Sequence, residues 1–250
     1  MVVAAGEDVW RSLAARAAPL ELDGAGGWLI LCPHPDDETL GAGGLIASLA
    51  ARHTPAWIVF LTSGEASHIG AVRWKPTRVA RTRRREAHRA LNALGHPNAR
   101  TIHLGWRDGN PPPLGGAAFR RSCQYLAALC RSRDIRNIAT TWRGEAHCDH
   151  RAAYEIGAML MKRCRTRLFE YIVWGWTDRS LEANLGELEV QSLDISTNRK
   201  SCETAIQQHR TQVSPLIRGA RKSFRLASPM IALASRNPLI LMRGVDCYAP

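Results

Sequence analysis

A histidine and two adjacent aspartates, His34, Asp36 and Asp37, stand in the run "LCPHPDDETLGAGG" (residues 31 to 44), and a second polar group, His147, Asp149 and His150, stands in "EAHCDHRAA". His34 and Asp37 are three residues apart across what reads as a strand-to-helix turn. That spacing points both side chains at one ion, with Pro35 stiffening the backbone between them and Asp36 left free beside the ion. One histidine of the second group would complete a two-His, one-Asp set, which leaves coordination positions open for water and a substrate carbonyl. Zinc lowers the pKa of bound water to about 7 in favourable sites. Asp36 beside a cation stays ionised and can act as base.

These groups need a scaffold that brings them to one place. "WLILC" before the first motif is short, apolar and β-prone, and "TLGAGGLIASLAARH" after it has helical spacing. Further strands read at "PAWIVFLTSGE", "ARTIHLGW" and "RNIATTW", with helices from about Thr77, over 117 to 133 and from about Arg151. The alternation predicts an α/β fold of Rossmann-like type, a mainly parallel sheet with helices on both faces. In a parallel sheet both motifs leave the same edge, where ligands bind in open α/β folds. "RLFEYIVWGWT" and "GELEVQSLDIST" add two strands in the C-terminal third, and "NRKSCETAIQQHRTQV" a helix capped by Thr197 or Asn198. Periodicity does not decide residues 215 to 250, which read as helix plus loop or partly as a lid.

At 250 residues with 45% hydrophobic and 22% charged content, the chain is expected to form one soluble domain spanning 1 to 250. No apolar run approaches the roughly 18 residues of a membrane span, and the first residues lack a signal-peptide pattern, so a cytoplasmic location is the default. The seven cysteines, Cys32, Cys123, Cys130, Cys148, Cys164, Cys202 and Cys247, are scattered and read as reduced thiols. The net charge of +12 is densest in "RWKPTRVARTRRREAHR", a helix whose Val79, Ala80, Ala87, Ala90, Leu91 and Leu94 supply a buried face, so most of its arginines read as a solvated surface.

The run "PHPDDE", with "HCDH" over a hundred residues later, resembles the PIG-L/LmbE-like N-acetylglucosaminyl deacetylases. "LTSGEASH", "RRREAHRALNALG", "LGWRDG", "LFEYIVWGW" and "LDISTNRKSCETAIQQHRTQ" extend the likeness over about residues 28 to 213. The resemblance implies a zinc enzyme that removes acetyl groups from amino sugars and their conjugates, Fe2+ and Co2+ being alternative metals. It makes His34, Asp37 and His150 the ligands and Asp36 the general base. It also implies that His147 stabilises the oxyanion and passes a proton to the leaving amine, while Asp149 orients a histidine. Cys148 departs from the family, which usually has proline there.

Candidates for substrate contact come from the other strand ends: Glu65, Asp108 and, in the basic helix, Arg83, with Ser67 and His68 weaker. Carboxylates accept from sugar hydroxyls and an arginine offers a forked donor. Trp106, Trp174 and Trp176 are each candidates for stacking on a sugar ring or for the core. The expected partner is a small N-acetylated sugar or glycoconjugate, with no specific nucleic acid and with a homo-oligomer left open. Two rival readings are a non-haem metal oxygenase using the same His/Asp/His site, and a basic module binding nucleic acid or an anionic membrane.

Overall fold

A computed structural model describes residues 2–22, 26–97, 99–177, 181, 184–185 and 188–244. Its elements in chain order are α1 (Val2–Arg16), β1 (Ala18–Pro19), β2 (Gly27–Cys32), α2 (Asp37–Leu40), α3 (Gly43–Ala51), β3 (Ala56–Phe60), β4 (His68–Ile69), α4 (Pro76–Ala93), β5 (Arg100–His103) and α5 (Ala117–Ser132). There follow β6 (Ile135–Thr141), α6 (Cys148–Cys164), β7 (Arg167–Tyr171), β8 (Glu189–Leu193), α7 (Arg199–Gln208), α8 (Arg210–Val213), β9 (Lys222–Ser223), α9 (Ser228–Ala234) and β10 (Leu239–Arg243).

The main sheet has the order β1-β8-β10-β7-β6-β2-β3-β5. Strands β5, β3, β2, β6 and β7 are parallel neighbours. β2 and β3 are buried along their whole length, which is why both read as unbroken apolar runs. Side chains alternate across the sheet: Trp28, Ile30 and Cys32 join a core with α3, α4 and α7, while Leu29 and Leu31 join one with α5 and α6. The expected α/β architecture with helices on both faces is therefore present.

Three local expectations change. The helix read through "TLGAGGLIASLAARH" breaks after Leu40, and at Gly41 a Cβ would enter the ring of Tyr171, so only glycine fits there. The Tyr171 hydroxyl in turn donates to the Leu31 carbonyl at 2.7 Å. The helix expected from about Arg151 begins at Cys148, with His147 as its N-cap. Residues 215 to 244 are not simply a lid: β10 enters the main sheet antiparallel between β7 and β8. β9 meanwhile pairs with β4 as a separate two-stranded ribbon. Cys32, Cys123, Cys130 and Cys202 are buried and, like half-buried Cys148 and Cys164, unbridged; Cys247 lies outside the described residues. No helix among the described residues is long and apolar enough to cross a membrane.

Candidate active site

β2 and β6 are direct neighbours. From β2 the chain continues outward to β3 and β5 on one side, and from β6 to β7 on the other. The two motifs therefore open at the point where strand order reverses, the usual ligand crevice of open α/β sheets. There Asp37 Oδ2 lies 3.2 Å from His34 Nδ1 and 3.4 Å from His150 Nε2, and it also accepts the His34 backbone N–H at 2.8 Å. Burial alone would raise the pKa of Asp37, but His150 and His34 outweigh it and hold the group well below the usual carboxylate range.

His34, Asp37 and His150 bring three ligand atoms within reach of one cation; so do His34, His147 and Asp149. The first set holds a buried unmet atom. His150 Nε2 is buried without a hydrogen-bond partner. In the second set, Asp149 Oδ2 already accepts the Gly109 N–H at 2.8 Å and faces His34 Nε2 at 3.0 Å. His147 Nδ1 in turn accepts the Asp149 N–H at 3.3 Å. An imidazole nitrogen left unpaired in the interior beside a carboxylate fits a divalent cation.

The far nitrogen of each histidine lies beside a carboxylate, the kind of neighbour that orients a ligand ring around a metal, although His150 Nδ1, like its Nε2, makes no hydrogen bond. His34 Nε2 faces Asp149 and, at 3.3 Å, Asp108 Oδ1. His150 Nδ1 lies 3.5 Å from Glu145 Oε2. Glu145, 1% exposed, also accepts the backbone N–H groups of Val173, Trp174 and Gly175 at 2.7, 3.0 and 3.2 Å. It is thus fixed by the turn that follows β7.

Asp36 has φ of 148°, and its N–H donates to Glu38 Oε2 at 2.8 Å. Glu38 Oε1 lies 2.9 Å from His209 Nε2 at the end of α7, both side chains being fully buried. Burial lowers the His209 pKa, but the Glu38 carboxylate outweighs it, so the pKa is raised. Asp36 Oδ1 pairs with Arg83 Nη2 at 2.9 Å. The same guanidinium donates to Pro35 O at 2.6 Å and Gly64 O at 3.0 Å. Gly64 has φ of +64°, and a Cβ there would strike the guanidinium. Burial raises the Asp36 pKa to about 6, with Arg83 opposing the rise.

A cavity of about 910 Å³ opens over this cluster, lined by His34, Asp36, Asp37, Arg83, Asp108 and His147 among others. Of the residues expected to meet substrate, Asp108 and Arg83 line it, but Arg83 is 3% exposed and spent on Asp36 and two carbonyls. Glu65 and His68 are not part of the lining. Glu65 accepts the Asp108 N–H at 3.0 Å, and His68 sits 3.0 Å from Ser67 Oγ. Trp106 and Trp176 belong to the core, whereas Trp174 lines the cavity. Sequence reasoning missed Glu38, Glu145 and His209. Glu38 and Glu145 flank the motifs, but their buried partners come from distant segments.

Fold and site together define an α/β protein whose sheet edge carries a cation-binding type of histidine and carboxylate centre. The model of the GlcNAc-PI de-N-acetylase (PIG-L) family matches residues 29–161, more than half of the sequence, and the chain belongs to that family. A 1D-myo-inositol 2-acetamido-2-deoxy-α-D-glucopyranoside deacetylase of Nocardia farcinica is 36% identical over 95 residues, a match spanning 38% of this chain and 30% of that one. The enzyme of the same name from Mycobacteroides abscessus is 22% identical over 86% of this chain and 91% of its own length. Among solved structures, the N,N'-diacetylchitobiose deacetylase of Pyrococcus horikoshii matches with a TM-score of 0.60 at 19% identity, covering 84% of this chain and 80% of that one. A 4-carboxy-2-hydroxymuconate hydratase from Pseudomonas putida shares the fold with a TM-score of 0.59 at 19% identity, over 74% of this chain and 78% of that one. Likeness at this level is evidence for the fold alone.

Proposed function

We propose that the protein is a zinc-dependent hydrolase that removes the acetyl group from an N-acetylated amino sugar, free or as part of a glycoconjugate. The observation that carries the reading is the convergence of His34 Nδ1, Asp37 Oδ2 and the buried His150 Nε2, which makes no hydrogen bond, beside a cavity that His34, Asp36 and Asp37 line. A divalent metal held there would polarise the amide carbonyl and lower the pKa of water.

The remaining chemistry falls to the chain. Asp36, near neutrality in pKa and beside Arg83, takes the proton of the attacking water. His147 accepts the Asp149 N–H through Nδ1, so its own proton sits on Nε2. Burial, with the neighbouring His34 and His150, lowers its pKa and keeps the ring neutral. A neutral Nε2–H facing the cavity donates to the oxygen that becomes negative as the carbonyl is attacked. As the carbon–nitrogen bond breaks, the nitrogen takes up the proton that Asp36 removed, replacing the proton expected from His147, whose ring is held neutral, and acetate and the free amine are released. Asp149, Asp108 and Glu145 keep the two ligand rings in place. Asp108 is the carboxylate of the lining suited to a sugar hydroxyl.

Acetate release from a panel of N-acetylated sugars, measured on metal-stripped protein and after addition of Zn2+, Fe2+ or Co2+, tests the reading. Restoration by metal is expected, with Asp36→Asn keeping the metal and losing about 10²–10⁴-fold in turnover. Absence of acetate from every sugar with metal bound would overturn it.

A further inference from the structure

We infer that the sugar this protein deacetylates carries an apolar aglycone, an aryl or alkyl group, seated against Trp174, Phe224 and Ile69. The inference rests on the deacetylase reading and adds what lies beyond the sugar. At about 910 Å³ the cavity is near the top of the range for small-molecule pockets, about 300–1,000 Å³, and leaves room beyond one sugar ring. Away from the ligand cluster its walls are largely apolar, formed by Leu40, Ile69, Trp174, Phe224 and Leu226.

This wall is built rather than incidental. The rings of Trp174 and Phe224 meet edge-on, centroids 5.3 Å apart. The Trp174 backbone N–H is held by Glu145, the carboxylate that also faces His150, so the aromatic wall and the ligand cluster share one anchor. Ile69 lies on β4, and Phe224 directly follows β9, its N–H donating to Ser67 O at 2.9 Å. The β4/β9 ribbon thus carries both to the cavity. Ile69 is 45% exposed, an apolar side chain presented to the opening. A polyol in the same place would need a set of polar partners, and that side of the lining offers chiefly Ser67, Ser223 and an exposed Lys222.

The test compares kcat/KM of the zinc-loaded protein on four substrates: free N-acetylglucosamine and its myo-inositol, phenyl and octyl glycosides, each glycoside as both anomers. The phenyl or octyl glycoside, or both, should exceed the free sugar and the inositol conjugate by about 10- to 100-fold, as expected from burying one apolar group of that size. The phenyl and octyl arms separate ring stacking from simple area burial. Phe224→Ser should reduce that advantage at least several-fold. Ile69→Ser, at an exposed position that tolerates a polar residue, should reduce it too and guards against misfolding of the first variant. Equal rates on all four, a preference for the polar pair, or an advantage untouched by either variant overturns the inference and leaves the deacetylase reading standing. No hydrolysis of any of them overturns both.

Discussion

Arg83 separates two accounts of the basic helix. A substrate contact away from the reacting amide would show as a raised KM. The structure instead places its guanidinium 2.9 Å from Asp36 Oδ1, with both side chains almost fully buried. An adjacent arginine lowers a carboxyl pKa by about 1–3 pH units, so Arg83→Met should raise that of Asp36 by a similar amount. Without a cation, Asp36 at about 6 is about 90% ionised at pH 7 and, moved up by two pH units, about 10%, a roughly tenfold loss of charged base; a bound cation lowers both values and leaves the direction of the shift unchanged. The sign follows from the base needing its charge: the acidic limb of the kcat profile moves to higher pH, and activity recovers in alkali. Stability should also fall by about 3–5 kcal/mol, because Asp36 is left without its buried partner. The assay is a pH–rate profile of wild type, Arg83→Lys and Arg83→Met at matched zinc content, Arg83→Lys lying between the other two. A limb that stays in place while KM alone rises would refute the reasoning and restore Arg83 as a substrate contact. Arg84→Ala and Arg85→Ala, whose side chains are exposed, should leave the limb where it is.

The double variant His34→Ala, His150→Ala should lose nearly all of about one zinc per chain, read by elemental analysis; stoichiometric metal in it would refute the ligand set. Glu145→Gln keeps the size of the side chain but removes the charge facing His150 Nδ1, and zinc affinity in competition with a chelator should fall about 10–100-fold. Metal affinity should also fall as pH falls. Burial lowers the His34 pKa, but Asp108, Asp149 and Asp37 outweigh it and raise it well above the ordinary value, so a proton competes for Nδ1. By the same linkage, the stability that protonated His34 gives the metal-free protein is full below the unfolded-state pKa and lost as pH rises through the folded one, which thermal melts of the stripped protein should show.

What the sequence disclosed about this site, and what it hid, follows from how each contact is made. Strand β2 announces itself as an apolar run because it is covered on both faces, and the polar motif just after it stands out, whereas β6 ("IRNIATT") mixes apolar with buried polar residues and its motif follows six residues on. Their direct adjacency depends on where the chain reverses its direction of growth across the sheet, which no local pattern encodes. Glu145 was hidden for a related reason: its partners are backbone amides of the turn after β7 together with a histidine on α6. β10 was hidden because "LILM" is too short and too uniformly apolar for periodicity to choose strand over helix. Arg83 is the instructive case, since a signal for it was present. Val79, Arg83, Ala87 and Leu91 follow one another at intervals of four, so Arg83 sits within the buried stripe of α4, while Arg81, Arg84, Arg85 and Arg89 fall outside it and are exposed. A guanidinium cannot lose its proton on burial, so an arginine placed on such a stripe calls for a buried carboxylate and carbonyl acceptors within reach. Here they come from the first motif and from the turn at Gly64, which is why the charge of one helix residue bears on the chemistry of Asp36.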